Sequence, residues 1–277
     1  MTGANGFIGR RLVKSLSSLG VEAVPVGRDQ GDLANGQAWD RLPRTDVVVH
    51  LAGRSFVPDS WRECAEFLRT NVVSTAQALE YCCRTSARLI YVSAYVYGIP
   101  RSLPISEDHP ANPNNPYALS KRMGEEACEF YSSYRGVSAT VLRLFNVYGP
   151  EQRPEFLIPE IIQQVRKGER ILVKDLKPRR DYVYVDDVVD ALVRTLRASS
   201  KGFNVFNVGS GESLSVAEIV DCIQRAAGTS LPVECGSVAR PQEIPDVRAD
   251  ITRARSVLGW KPRHSFNMGI QSILSME

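Results

Sequence analysis

Histidine is scarce in this chain of 277 residues, with only His50, His109 and His264, all far apart in sequence. The six cysteines (Cys64, Cys82, Cys83, Cys128, Cys222 and Cys235) form no Cys-x-x-Cys pair and have no histidine close by. A zinc centre is therefore not expected, and reduced thiols in a cytoplasmic protein are. No apolar run reaches the roughly 18 residues of a membrane span. No charged-then-apolar leader precedes the first motif, so neither a membrane nor an export route is expected. Neither sign of charge dominates: the net charge is +3, with basic and acidic residues interspersed. That excludes a basic stripe for nucleic acid and an acidic tail. Attraction for anions then has to come from local sites.

Hydrophobic residues make up 43% of the chain and charged ones 23%, enough for a sizeable core. Apolar clusters alternate with amphipathic segments, the pattern of β-α-β units and a doubly wound, Rossmann-type parallel α/β sheet. The spacing predicts helices over Arg10–Leu19, Trp61–Arg84, Tyr117–Tyr134, Ile158–Lys167, Val185–Ala198 and Val216–Ala227. It predicts strands over Glu22–Val26, Val47–Leu51, Leu89–Ser93, Ala139–Leu144 and Val205–Val208. Residues 1–150 are expected to form a dinucleotide-binding domain. Residues 151–277 are expected to form mainly a smaller, discontinuous substrate-binding lobe, with about 180–210 returning to the first domain.

The run Thr2-Gly3-Ala4-Asn5-Gly6-Phe7-Ile8-Gly9 leads straight into an amphipathic helix. Glycines three apart let backbone N–H groups approach a pyrophosphate at the positive end of that helix. Gly3, Asn5, Gly6, Phe7, Ile8 and Gly9 are thus candidate cofactor contacts. Only Met1 precedes this loop, where a central strand is expected, so a shortened strand or a start upstream is expected as well. After the second predicted strand comes Gly27-Arg28-Asp29. Arg28 suits a 2′-phosphate and NADP, while Asp29 leaves NAD open. Asp32 and Leu33 are expected near the adenine, and Leu51, Ala52 and Gly53 along the cofactor's edge.

Tyr117 and Lys121 stand four residues apart, hence on one helical face. An ammonium beside a phenol favours the phenolate, which can take a proton from a sugar hydroxyl as hydride leaves the same carbon. Ser93, ending the preceding strand, can bond the same oxygen. These residues occur in order with the glycine loop, His50-Leu51-Ala52-Gly53, Asn71, Ser93-Ala94-Tyr95-Val96-Tyr97-Gly98 and Asn146-Val147-Tyr148-Gly149-Pro150. Together they resemble the extended short-chain dehydrogenase/reductases, the NAD-dependent nucleotide-sugar epimerase/dehydratase family, over nearly the whole chain.

The resemblance implies that Tyr117 is the acid/base, and that Lys121 lowers its pKa and holds the nicotinamide ribose. It implies that Ser93 polarises the reacting oxygen and that Asn71 is a structural residue beside the cofactor. Asn146 and the helix starting near Phe156 would face a nucleotide-diphosphate sugar, with Arg180 and Arg240 on its diphosphate. Leu258-Gly259-Trp260-Lys261-Pro262 resembles a C-terminal signature, and Trp260 reads as a packing residue. In the family's 4,6-dehydratases an Asp-Glu pair follows the active-site Ser/Thr; Ala94 and Tyr95 stand there in this chain, so dehydration is not expected. The expected activity is C4 epimerisation with NAD, with an NADPH-dependent 4-ketoreductase as the alternative. A non-catalytic cofactor-binding protein is the reading from another class. A homodimer is expected through the helices 61–84 and 117–134.

Overall fold

The computed structural model describes residues 1–198, 201–236 and 243–276. Four parallel strands form the main sheet in the order β1 (Val47–His50), β2 (Arg88–Ala94), β3 (Ala139–Leu144) and the strand Phe203–Val208. Beyond β1, Thr2 bridges both His50 and Val26 in parallel and extends the sheet by single residues. Successive residues of β2 face opposite ways. Ile90 and Val92 enter one core with Leu12 and Leu16 of α1 (Phe7–Ser18), and Leu89 and Tyr91 enter another. That second core holds Trp39 of α2 (Gly36–Asp40) and Cys128. The sheet is thus covered on both faces, which explains its largely apolar strands.

The predicted strand Glu22–Val26 does not form. Only Val26 makes a bridge: it donates to Met1 O and accepts from Ala4 N, and Val24 O accepts from the Met1 ammonium, so no ladder propagates. The predicted helix Trp61–Arg84 is divided. It comprises α3 (Val57–Arg62), α4 (Cys64–Leu68), a π-helical turn Arg69–Val73, and α5 (Ser74–Thr85). Side-chain hydrogen bonds, near and distant, hold this division. Ser74 and Thr75 hydroxyls donate to the carbonyls of Thr70 and Asn71, which widens the turn, while the Asn71 amide is drawn off to a loop.

The long helix α6 (Pro116–Arg135) starts where its chemistry dictates. Asn115 Oδ1 accepts from Ala118 N at 2.9 Å, Pro116 takes the first turn, and Gly136 closes the end at φ +72°. After β3 come the short strand β4 (Asn146–Tyr148), α7 (Leu157–Lys167), α8 (Val185–Arg197) and α9 (Val216–Ala227). A third core gathers Ile158, Ile161 and Ile162 of α7, Ile219 and Ile223 of α9, and Ile270 and Ile273. α8 instead packs in the first core through Val188 and Leu192, together with Trp260. Trp260 is fully buried and its indole N–H donates to Asp187 O at 3.0 Å, a packing role.

Candidate active site

The glycine loop is shaped by atoms it lacks. A Cβ on Gly9 would lie 2.1 Å from Gly3 O, and one on Gly3 would lie 2.7 Å from Ala52 N, at a φ of +67°. Helix α1 starts at Phe7, one turn earlier than the spacing predicts, so Phe7, Ile8 and Gly9 form its first turn. Its N-cap is Gly6, no side chain caps it, and no acidic residue stands in the first turn. First-turn N–H groups plus the helix dipole make this end a fit for phosphate oxygens. Asn5 is exposed, with its amide nitrogen 2.5 Å from where a Gly27 Cβ would be. Arg28, also exposed, opens the next turn. Asp32 pairs with Arg69, and Leu33 packs towards the Trp39 core while its carbonyl accepts from the indole.

From this loop a strip of backbone leads towards Lys121. The Leu51–Gly53 segment touches Gly3 at one end, and at the other a Cβ on Gly53 would lie 3.9 Å from Lys121 Nζ. Asn71 holds the strip: its Oδ1 accepts from Arg54 N at 2.8 Å, and its Nδ2 donates to Arg54 O and Ser120 Oγ. It is fully bonded within the protein, which suits the structural part expected of it. His50 is wholly buried between Thr2 and Ser74, and its pKa is pushed down to about 3 by burial and by the Lys121 charge. It is a neutral strut.

Tyr117 and Lys121 lie on successive turns of α6. Burial pulls Lys121 down to about 8, and its ammonium stands 4.4 Å from the centre of the Tyr91 ring. Gly124 permits this, since a Cβ there would strike the Tyr91 hydroxyl. Tyr117 is half-buried, its ring edge-on to Phe67 at 6.4 Å. The phenol departs from expectation: burial raises its pKa, and no lowering by Lys121 offsets that.

Beneath them lies a buried polar cluster that sequence reasoning missed. Ser93 Oγ donates to Glu125 at 2.5 Å, and Arg143 donates to both Glu125 oxygens at 2.7–3.1 Å. Arg143 also donates to Tyr97 Oη at 2.9 Å, and Tyr97 donates to Asn207 at 2.6 Å. Burial alone would lower the Arg143 pKa, but the bonds and charge of Glu125 raise it above its usual value. Two signals were available. Glu125 continues the four-residue step Tyr117, Lys121, and Arg143 is a charge inside an otherwise apolar strand, which needs a buried partner.

Across the cleft, the Asn146 N–H donates to Asp181 O at 2.9 Å, which fixes β4 beside the strand Tyr182–Tyr184. Asp181 is fully buried and pushed up to about 6 by burial, despite donors from Ser210, Gly211 and Ala249. Arg180 donates to Ile244 O at 2.6 Å and pairs with Glu243. Phe156 caps α7 and meets Phe56 edge-on at 5.6 Å. Arg240 lies outside the described residues.

Residues 1–209 match the NAD-dependent epimerase/dehydratase family. The chain belongs to that family. It is 31% identical to a UDP-glucose 4-epimerase of Azospirillum brasilense, over 100% of this chain and 91% of that one. It is equally identical to a GDP-6-deoxy-D-mannose reductase of Pseudomonas aeruginosa, over 99% and 95%. Among solved structures, MoeE5 in complex with UDP-glucuronic acid and NAD superposes with a TM-score of 0.92 at 33% identity, covering 99% and 96%. RMD from Pseudomonas aeruginosa with NADPH gives 0.87 at 30% identity, with the same coverage. The family is one of enzymes that use a nicotinamide dinucleotide, which bears out the expectation of NAD or NADP and sets aside the non-catalytic reading. Among the described residues no helix is long and apolar enough to cross a membrane.

Proposed function

We propose that this chain interconverts C4 epimers of a nucleotide-diphosphate hexose with NAD. The observation that carries this is the continuous strip from the glycine loop through Gly53 to Lys121, with Tyr117 on the same helix face. Gly3, Asn5, Gly6, Phe7, Ile8 and Gly9 would hold the pyrophosphate, Arg28 and Asp32 the adenosine end, and Gly53 and Lys121 the nicotinamide ribose. When bound, the dinucleotide supplies a hydride acceptor and donor. Tyr117 takes the proton of the C4 hydroxyl and gives it back. Arg180 and Arg240 grip the diphosphate, since guanidinium forks match phosphate oxygens. Asn146 and the start of α7 line the sugar side. Ala94 and Tyr95 bring no carboxylate beside Ser93, which removes dehydration.

A second reading, a 4-ketoreductase using NADPH, is favoured by the exposed Arg28, next to the Gly27 that lies against Asn5, and by the reductase relative. One experiment separates them. Purified protein is given UDP-, dTDP- and GDP-hexoses and their 4-keto forms, each with NAD and NADPH, and products are read by NMR. Epimers formed without net cofactor turnover support the first reading; stoichiometric NADPH oxidation by a 4-keto sugar supports the second. Tyr117→Phe should lower kcat at least ~10²-fold in either case, with binding kept. A fall under tenfold removes Tyr117 from the role.

The assembly is a cytoplasmic homodimer. Leu119, Met123, Phe130 and Tyr134 are exposed at helical spacing along α6, and Phe130 and Tyr134 rings lie 5.0 Å apart. Such a stripe gains by facing its own copy across a twofold axis. Light scattering that finds a monomer at micromolar concentration would contradict it.

A further inference from the structure

The Lys121 ammonium is buried, and among the described residues it has no hydrogen bond and no ion pair. A lysine withdrawn from water usually ends on a carboxylate. This one ends on the face of the Tyr91 ring, 4.4 Å from nitrogen to ring centre, well inside the distance at which an aromatic face attracts a cation.

Two positions bring the ring there. Tyr91 belongs to β2, and its side chain enters the same core as Leu89 and Cys128, on the α6 side of the sheet. On α6, Gly124 follows Lys121 by three residues and so shares its face. A Cβ on Gly124 would lie 2.3 Å from Tyr91 Oη and 2.8 Å from Cζ, so the ring reaches under Lys121 only because that carbon is absent. The ring is fully buried, its hydroxyl lies 3.5 Å from Lys121 O, and the His50 ring stacks near it with centroids 6.0 Å apart.

The other titratable groups around the ammonium do not replace the ring. Glu125, one turn on, attracts Lys121 but is bonded to Arg143 and Ser93. Cys128, two turns on, is held as a neutral thiol by burial, and Tyr117 on the preceding turn is held as a neutral phenol. His50, from β1, is neutral as well. The Gly53 backbone and the Asn71 amide, its neighbours on the loop side, carry no charge.

We propose that Tyr91 is a positioning residue whose ring face seats the Lys121 ammonium, holding the charge in place and leaving its N–H donors to the cleft. An ammonium has three donors, and a carboxylate in place of the ring would claim one or two of them. The use made of those donors rests on the reading above, in which Lys121 holds the nicotinamide ribose. The seat itself does not depend on that reading.

The test follows the proton of Lys121 by NMR in the full chain, isotope-labelled at lysine Cε and titrated without cofactor. Lys121→Arg identifies the signal. Tyr91→Leu should lower the Lys121 midpoint by roughly 0.4 to 1.5 pH units, the worth of a cation–π contact, and Tyr91→Phe should leave it in place. A ring that only fills space gives another result. The smaller leucine then leaves a gap for water, which keeps the midpoint where it is or raises it, and either outcome overturns the proposal. If Tyr91→Leu does not fold, pentafluorophenylalanine at position 91 decides, because it keeps the ring's shape and reverses the polarity of its face. A lowered midpoint there supports the seat, and an unmoved one overturns it. The rate gives a second readout: its decline above about pH 8 should begin lower in Tyr91→Leu by the same shift, and not in Tyr91→Phe. A rate that falls while its pH break stays put marks Tyr91 as structural and overturns the proposal. If the protein turns over no nucleotide sugar, the proposed function fails, and the cofactor-free titration still decides whether Tyr91 seats the lysine.

Discussion

Around the glycine loop the cleft is walled by backbone, whereas beneath Tyr117 it is walled by charged side chains withdrawn from water. Gly3 and Gly9 sit where a single added carbon would collide with main-chain atoms, so that end is exact in shape, and what charge preference it has comes from helix N–H groups and not from side chains. The Ser93, Glu125, Arg143 and Tyr97 cluster is the reverse: each atom has a partner, and the cost lies in losing one. One end fails by addition and the other by deletion.

The largest effect should come from breaking the ion pair. Arg143→Leu strands Glu125 in the interior and should cost about 3–5 kcal/mol of stability, read by denaturant unfolding. A loss under 1 kcal/mol would mean that water reaches Glu125 and the contrast with the glycine end is false. Gly9→Ala follows. Its Cβ must displace Gly3 O, costing about 1–3 kcal/mol and most of the cofactor affinity. Retained affinity with lowered stability would show that the loop shape is not what binds.

Arg180→Ala probes the lobe opposite. A charged hydrogen bond is worth about 1.5–3 kcal/mol, so a free nucleoside diphosphate should bind roughly 10- to 150-fold more weakly. Unchanged affinity for the diphosphate with collapsed turnover of the sugar would place Arg180 elsewhere. The mildest test is pH. Lys121, lowered to about 8, is charged below that value and loses its proton as pH rises through it. The rate should therefore decline above about pH 8, by at most about tenfold per pH unit. Lys121→Arg, which stays charged, should not decline there. A wild-type rate still climbing at pH 9 would assign the charge at this end to another group.

The difference between the two ends also decides how much could be read in advance. Glycine spacing reports backbone geometry directly, because only glycine accepts the φ of Gly3 or the approach at Gly9, so the shape of the glycine loop was legible. The Tyr117 to Lys121 spacing likewise survives in α6, because helix periodicity is local. The division of 57–85 into three helices and a π-helical turn was not legible. It follows from where the Asn71 amide finds its partners, 17 residues back at Arg54 and 49 ahead at Ser120. Nor was the failure of Glu22–Val26 to form a strand, since a ladder depends on what lies beside it.

The amino-acid order by itself thus determined the α/β class, the glycine cradle and the Tyr117/Lys121 pair, all set by interactions within a few residues. Tertiary structure alone decided that Ser93 gives its proton to a glutamate 32 positions away, that Arg143 answers that glutamate, and that burial raises Tyr117 and lowers Lys121. Those outcomes depend on distance through space and on exclusion of water, and neither is written in the spacing of residues along the chain.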